Sequence, residues 1–124
     1  MSPLMKLSAI TLDCAEPRVL AAFYQEVTGL EPHPRSDDDF ASLRSGDGDG
    51  PIIGFQRVDG HRPPTWPEPA VPQQLHLCFD VADLDAAEAR LLALGAGKPE
   101  WQPDEGRWRV LTDPAGHPFC IVVG

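Results

Sequence analysis

The side chains able to do chemistry are few and widely scattered in this sequence. Cys14, Cys78 and Cys120 form an odd set without close pairs, which speaks against a disulfide framework or a zinc knuckle. Reduced thiols and a cytoplasmic protein are the expectation. Of four histidines, His33, His61 and His117 stand beside proline or glycine, in segments that read as exposed loops. His76 differs, because it sits in the alternating segment QLHLCFDV. There it can serve as a hydrogen-bonding pocket residue, an acid–base group for a bound substrate, or a metal ligand. The first of these is the commonest role for a lone strand histidine. Cys120 reads as a small buried hydrophobe. Trp66, Trp101 and Trp108 offer an aromatic platform for a flat or cationic ligand. Loop anchoring for Trp66 and core filling for Trp108 stand beside that reading.

Other chemistry finds no support. The stretch SGDGDGP at 45–51 places carboxylates where a phosphate loop needs bare amides, and no Lys-Ser/Thr follows it. The same stretch lacks the length and terminal glutamate of a calcium loop. No nucleophile elbow is present.

The elements that must position these residues are legible from periodicity. In LSAITLDC, Ile10 and Leu12 alternate with Ala9, Thr11 and Asp13, as in a half-buried strand. Glu16-Pro17 suits a helix cap and first position. Leu20, Phe23, Tyr24 and Val27 make one apolar helical face, and Gly29 supplies the stop. The pattern then returns. Leu75, Leu77, Phe79 and Val81 alternate with Gln74, His76, Cys78 and Asp80. Asp83 is a good N-cap, Leu84, Ala87, Leu91 and Leu94 form a second stripe, and Gly95 ends it. Short extended segments follow in both halves: 40–44 and 52–58 in the first, then Trp101, 107–112 and 119–123 in the second. This is an internal duplication. It sets module one at 5–58, a proline-rich linker at 59–73 and module two at 74–124. The non-helix faces of the opening strands carry Thr11 and Asp13, and His76, Cys78 and Asp80. Joined edge to edge, two such sheets could enclose a lined cavity, and Asp13 and Asp80 would give it negative charge.

Size and charge narrow the field further. At 124 residues, 42% hydrophobic and 23% charged, the chain suits one domain with a self-sufficient core. Its formal charge of −9 opposes binding to phosphate backbones, so no nucleic-acid partner is expected. No apolar run approaches the ~20 residues that span a bilayer, and residues 1–6 lack the apolar stretch of a secretory signal. No membrane partner is expected either.

Phe23-Tyr24, Val27-Thr28-Gly29-Leu30, the second opening His76-Leu77-Cys78-Phe79-Asp80-Val81, and Asp113-Pro114-Ala115-Gly116-His117-Pro118-Phe119 together resemble the vicinal oxygen chelate superfamily. That group includes glyoxalase I, extradiol dioxygenases and bleomycin-resistance proteins. The resemblance implies an α+β fold of two βαβββ modules, an incomplete barrel with a concave ligand cleft, and pairing as a homodimer. It also implies a divalent metal in enzymatic members, held by the opening and closing strands of each module. Those positions fall on Ala9 and His76, 67 apart in numbering, and on Gln56 and Cys120, 64 apart. Alanine cannot coordinate, glutamine is a weak donor, and no carboxylate is present. The expectation is therefore a metal-independent protein, without cofactor, that binds a small aromatic or cationic molecule, as in resistance by sequestration. Its ligand residues would be His76, Gln56, Cys120, Asp13, Trp101 and Trp108. The alternative is a lyase, isomerase or dioxygenase of the same superfamily, with His76 as acid–base group or with Gln56, His76 and Cys120 as an unusual metal set.

Overall fold

The computed structural model describes residues 4–48, 50–66 and 70–124. Residues 1–3, Asp49 of the glycine-rich loop and residues 67–69 of the expected linker lie outside these. The chain divides after His61 into two units, each an open mixed sheet with one helix. The proline-rich stretch from Arg62 onward goes with the second unit. No helix among the described residues is long and apolar enough to cross a membrane.

The first unit runs β1 (Ala9–Cys14), α1 (Pro17–Thr28), β2 (Glu31–Pro32), β3 (Phe40–Arg44) and β4 (Ile52–Arg57), with sheet order β1-β4-β3-β2. β1 and β4 are parallel, a pairing that needs the long crossover α1 and its following strands provide. Alternation holds along β1: Leu12 and Cys14 are buried while Thr11 and Asp13 are exposed. Pro17 opens α1, although the Glu16 side chain makes no cap hydrogen bond. At the other end Gly29 takes the left-handed conformation, φ 73°, and donates its N–H to the Gln25 carbonyl. Leu20, Phe23 and Tyr24 drive the helix onto the sheet. Tyr24 stacks on Phe55 at 5.7 Å and meets Phe23 edge-on at 5.1 Å, so three rings centre the core.

The second unit runs β5 (Leu77–Val81), α2 (Leu84–Ala93), β6 (Trp108–Thr112) and β7 (Pro118–Val123), in order β5-β7-β6. Again the opening and closing strands are parallel. An isolated bridge between Gly97 and Thr112 stands where β2 stands in the first unit. Asp83 caps α2 by accepting from the Ala86 N–H at 2.9 Å. Leu84 and Leu91 are its buried contacts, and Phe79 meets Phe119 edge-on at 5.8 Å beneath it. Arg109 on β6 reaches Asp85 at 2.8 Å and Glu88 at 3.4 Å on α2, while Lys98 bonds Glu88 and Glu105. Arg109 and Glu88 are largely covered by these contacts, whereas Asp85 stays in solvent, where an ion pair contributes little.

Two boundaries differ from expectation. β5 begins at Leu77 rather than Gln74, because continuing the register would set His76 opposite Pro118, which has no N–H for the ladder. Trp101 is not in a strand. Pro99 and Pro103 flank it, and the Gln102 side chain takes a strand's place instead: its amide accepts from Val110 N–H and donates to the Val110 carbonyl, both at 2.8 Å.

Candidate functional site

Strand alternation and register decide which reactive side chains meet. His76 lies just before β5, two residues from Cys78, and Cys120 on β7 is the direct partner of Cys78. The histidine nitrogen and the two sulfurs lie within 4.8 Å of one another. His76 and Cys78 are exposed and Cys120 is buried. Burial, then the neighbouring Cys78, pushes the Cys120 thiol up to about 11. Trp108 and Val110 on β6 lie on this same face by register.

The thiols should therefore differ in reactivity. Alkylation at neutral pH is expected to label Cys78 first. Cys120 should resist until the pH approaches its raised value, and Cys14, 1% exposed, should react only on unfolding. Peptide mapping of the labelled protein checks the order, and early modification of Cys120 contradicts it.

In the first unit Asp13 and Gln56 are register partners on exposed positions of β1 and β4. Gln56 borders a hollow of about 440 Å³ whose rim is charged: Arg57 reaches Asp39 at 3.5 Å and Asp59 at 3.3 Å. The register also moves one expected position. Helices α1 and α2 begin 67 positions apart, at Pro17 and Leu84, which keeps Ala9 as the counterpart of His76. Thr11 then corresponds to Cys78, and their partners on the closing strands are Gly54 and Cys120. So the counterpart of Cys120 is Gly54, and Gln56 lies two residues too far along. A Cβ on Gly54 would sit 2.9 Å from the Phe40 ring and 3.0 Å from the Thr11 hydroxyl. An aromatic edge fills the space a ligating side chain would need.

Two of the three tryptophans come together: Trp101 meets Trp66, ring centroids 6.0 Å apart and planes at 49°, while Trp108 lies on β6. The two rings line a hollow of about 740 Å³ with Pro63, Pro64, Pro99 and Lys98. Its floor is built on glycine: a Cβ at Gly116 would sit 2.4 Å from Pro63 Cβ, and one at Gly97 2.6 Å from the Thr112 hydroxyl. The indole nitrogen of Trp66 is buried without a hydrogen-bond partner among the described residues. Sequence reading singled out Trp66 but could not say that the linker folds back onto the 113–116 turn.

A duplicated strand–helix–strand unit, with parallel opening and closing strands, is the frame on which glyoxalase-like proteins carry their sites. The chain belongs to this group: the Glyoxalase-like domain family model matches residues 9–122. It is 32% identical over 113 residues to the Mycobacterium tuberculosis protein named "Putative glyoxylase CFP32", covering 86% of this chain and 40% of that one. The chain thus spans about two fifths of the length of the curated relatives it matches. Among solved structures, the fosfomycin resistance protein FosX of Listeria monocytogenes, complexed with Mn(II) and a dihydroxypropylphosphonic acid, is similar at TM-score 0.71 and 22% identity. That match covers 98% of this chain and 94% of that one. The bleomycin-binding protein of Streptomyces verticillus, complexed with copper(II)-bleomycin, is similar at TM-score 0.54 and 17% identity, covering 99% of each chain. At these identities the likeness is one of fold.

Enzymatic members of the superfamily hold a divalent metal, and the residues at those positions do not fit a hard ion. Ala9 and Gly54 have no donor atoms, and His76 and Cys120 bring one nitrogen and one sulfur. Magnesium or manganese requires several oxygens. The donor set gives no step through such an ion.

Proposed function

We propose that the chain binds a small, flat aromatic or cationic molecule without a hard divalent ion. The observation that carries this is the hollow walled by Trp66 and Trp101. Aromatic faces attract flat or cationic groups. The formal charge of −9 adds a field that favours cations. The bleomycin-binding relative supports sequestration as the outcome of binding. In this reading Trp101 is the ligand contact, and the protein acts as a cytoplasmic homodimer.

Tryptophan quenching by a panel of planar cationic dyes and aromatic amines tests it. Binding is expected to be saturable at one site, and Trp101→Ala should weaken it about tenfold or more, since stacking contributes on the order of 1–3 kcal/mol. Trp101 is 53% exposed, so its loss should barely change the melting temperature. Unaltered affinity in that variant refutes the proposal. Turnover of a bound compound, abolished by His76→Ala, favours the enzyme reading instead.

A further inference from the structure

We infer that His76, Cys78 and Cys120 form a binding site for one thiophilic metal ion of the zinc class on the sheet of the second unit. Two observations build it. Cys120 is the lateral partner of Cys78 in the parallel ladder, and His76, one residue before β5 begins, brings its ring nitrogen within 4.8 Å of both sulfurs. Around a tetrahedral zinc, with Zn–S about 2.3 Å and Zn–N about 2.0–2.1 Å, neighbouring ligand atoms stand roughly 3.5–3.8 Å apart. The three atoms lie within 4.8 Å of one another, so a contraction of about 1 Å, available from side-chain torsions, assembles the site.

Charge and chemistry agree with this ion class. Two thiolates neutralise a divalent cation without a carboxylate, and imidazole with thiolate is the set that zinc and similar soft or borderline ions prefer. The same set holds magnesium and manganese poorly, because their preferred oxygen ligands are missing. His76 and Cys78 are exposed while Cys120 is buried, so the ion would be held from the sheet side and keep a fourth position toward solvent. An open fourth position distinguishes sites that hold water or a small ligand from closed structural ones. Cys78 lies outside the positions through which the superfamily holds its metal, and it is the residue that converts a lone His–Cys pair into a three-donor set. The site makes no use of Trp66 or Trp101, so it stands or falls separately from the aromatic hollow.

Reduced full-length chain titrated with Zn²⁺ against a chromophoric chelator tests the inference. The expected result is one ion per chain. Cys78→Ser and His76→Ala should each weaken binding on the order of a hundredfold, while Cys14→Ala leaves it unchanged. Both key substitutions are at exposed positions, so folding is expected to persist, and circular dichroism of each variant verifies it. Co²⁺ supplied in place of zinc should give a thiolate-to-metal charge-transfer band that Cys78→Ser diminishes. Absence of stoichiometric zinc, a cobalt spectrum without thiolate character, or zinc affinity indifferent to Cys78→Ser would overturn the assignment.

Discussion

Gly116→Ala is expected to destabilise the protein by about 2–4 kcal/mol, read as a lowered denaturant midpoint. Two independent costs add. Gly116 has φ 89°, a conformation in which a Cβ is strained by roughly 1–2 kcal/mol. The new methyl would also sit 2.4 Å from Pro63 Cβ, and overpacking of this kind costs about 1–3 kcal/mol. The surrounding turn has little room to yield. The Asp113 carboxylate, 3% exposed, accepts from the Ala115 and His117 N–H groups at 2.9 and 3.0 Å and holds the loop to its shape. Relief must come by displacing Pro63, which is part of the aromatic hollow's wall, so ligand quenching should weaken together with stability. Gly106→Ala is the control: nothing lies within 4 Å of the added carbon, and stability should stay within about 0.5 kcal/mol of the parent. Equal effects at both glycines would refute the packing argument.

Phe55→Ala should be the more damaging change, at about 3–5 kcal/mol. Phe55 is fully buried, stacks on Tyr24 of α1 and belongs to β4, the strand that pairs both β1 and β3. Removing the ring leaves a cavity between helix and sheet that the two remaining rings, Phe23 and Tyr24, cannot close. Phe40→Ala, next door on β3 but 37% exposed, should cost distinctly less. Urea unfolding of the two variants measures the difference. Comparable midpoints would show that the stacked pair does not anchor the unit.

Much of this framework was legible before any coordinates. Leu12 and Cys14 against Thr11 and Asp13, the Leu20–Phe23–Tyr24 face and the Gly29 stop all follow from period and local stereochemistry. Such features depend on neighbours in the chain. The site was less legible because it depends on neighbours in space. Counting along the sequence assigned Gln56 as the equivalent of Cys120; ladder register, invisible to counting across loops of unequal length, assigns Gly54. Cys78 and Cys120 looked unrelated at their separation, yet parallel pairing makes them lateral partners. Trp101 looked like a strand residue, whereas its two flanking prolines remove the donors a strand requires. Trp66 was noticed for its type, and only the return of the linker onto Gly116 gave it a partner.

The Gln102 amide has one more effect. With both backbone polar groups of Val110 already engaged by that side chain, the centre of β6 presents nothing to which a foreign strand could zip. Pro99 and Pro103, on either side, cannot donate from their own nitrogens. This margin of the sheet is thereby closed to templated growth, and fibril formation through β6 would first require Gln102 to let go.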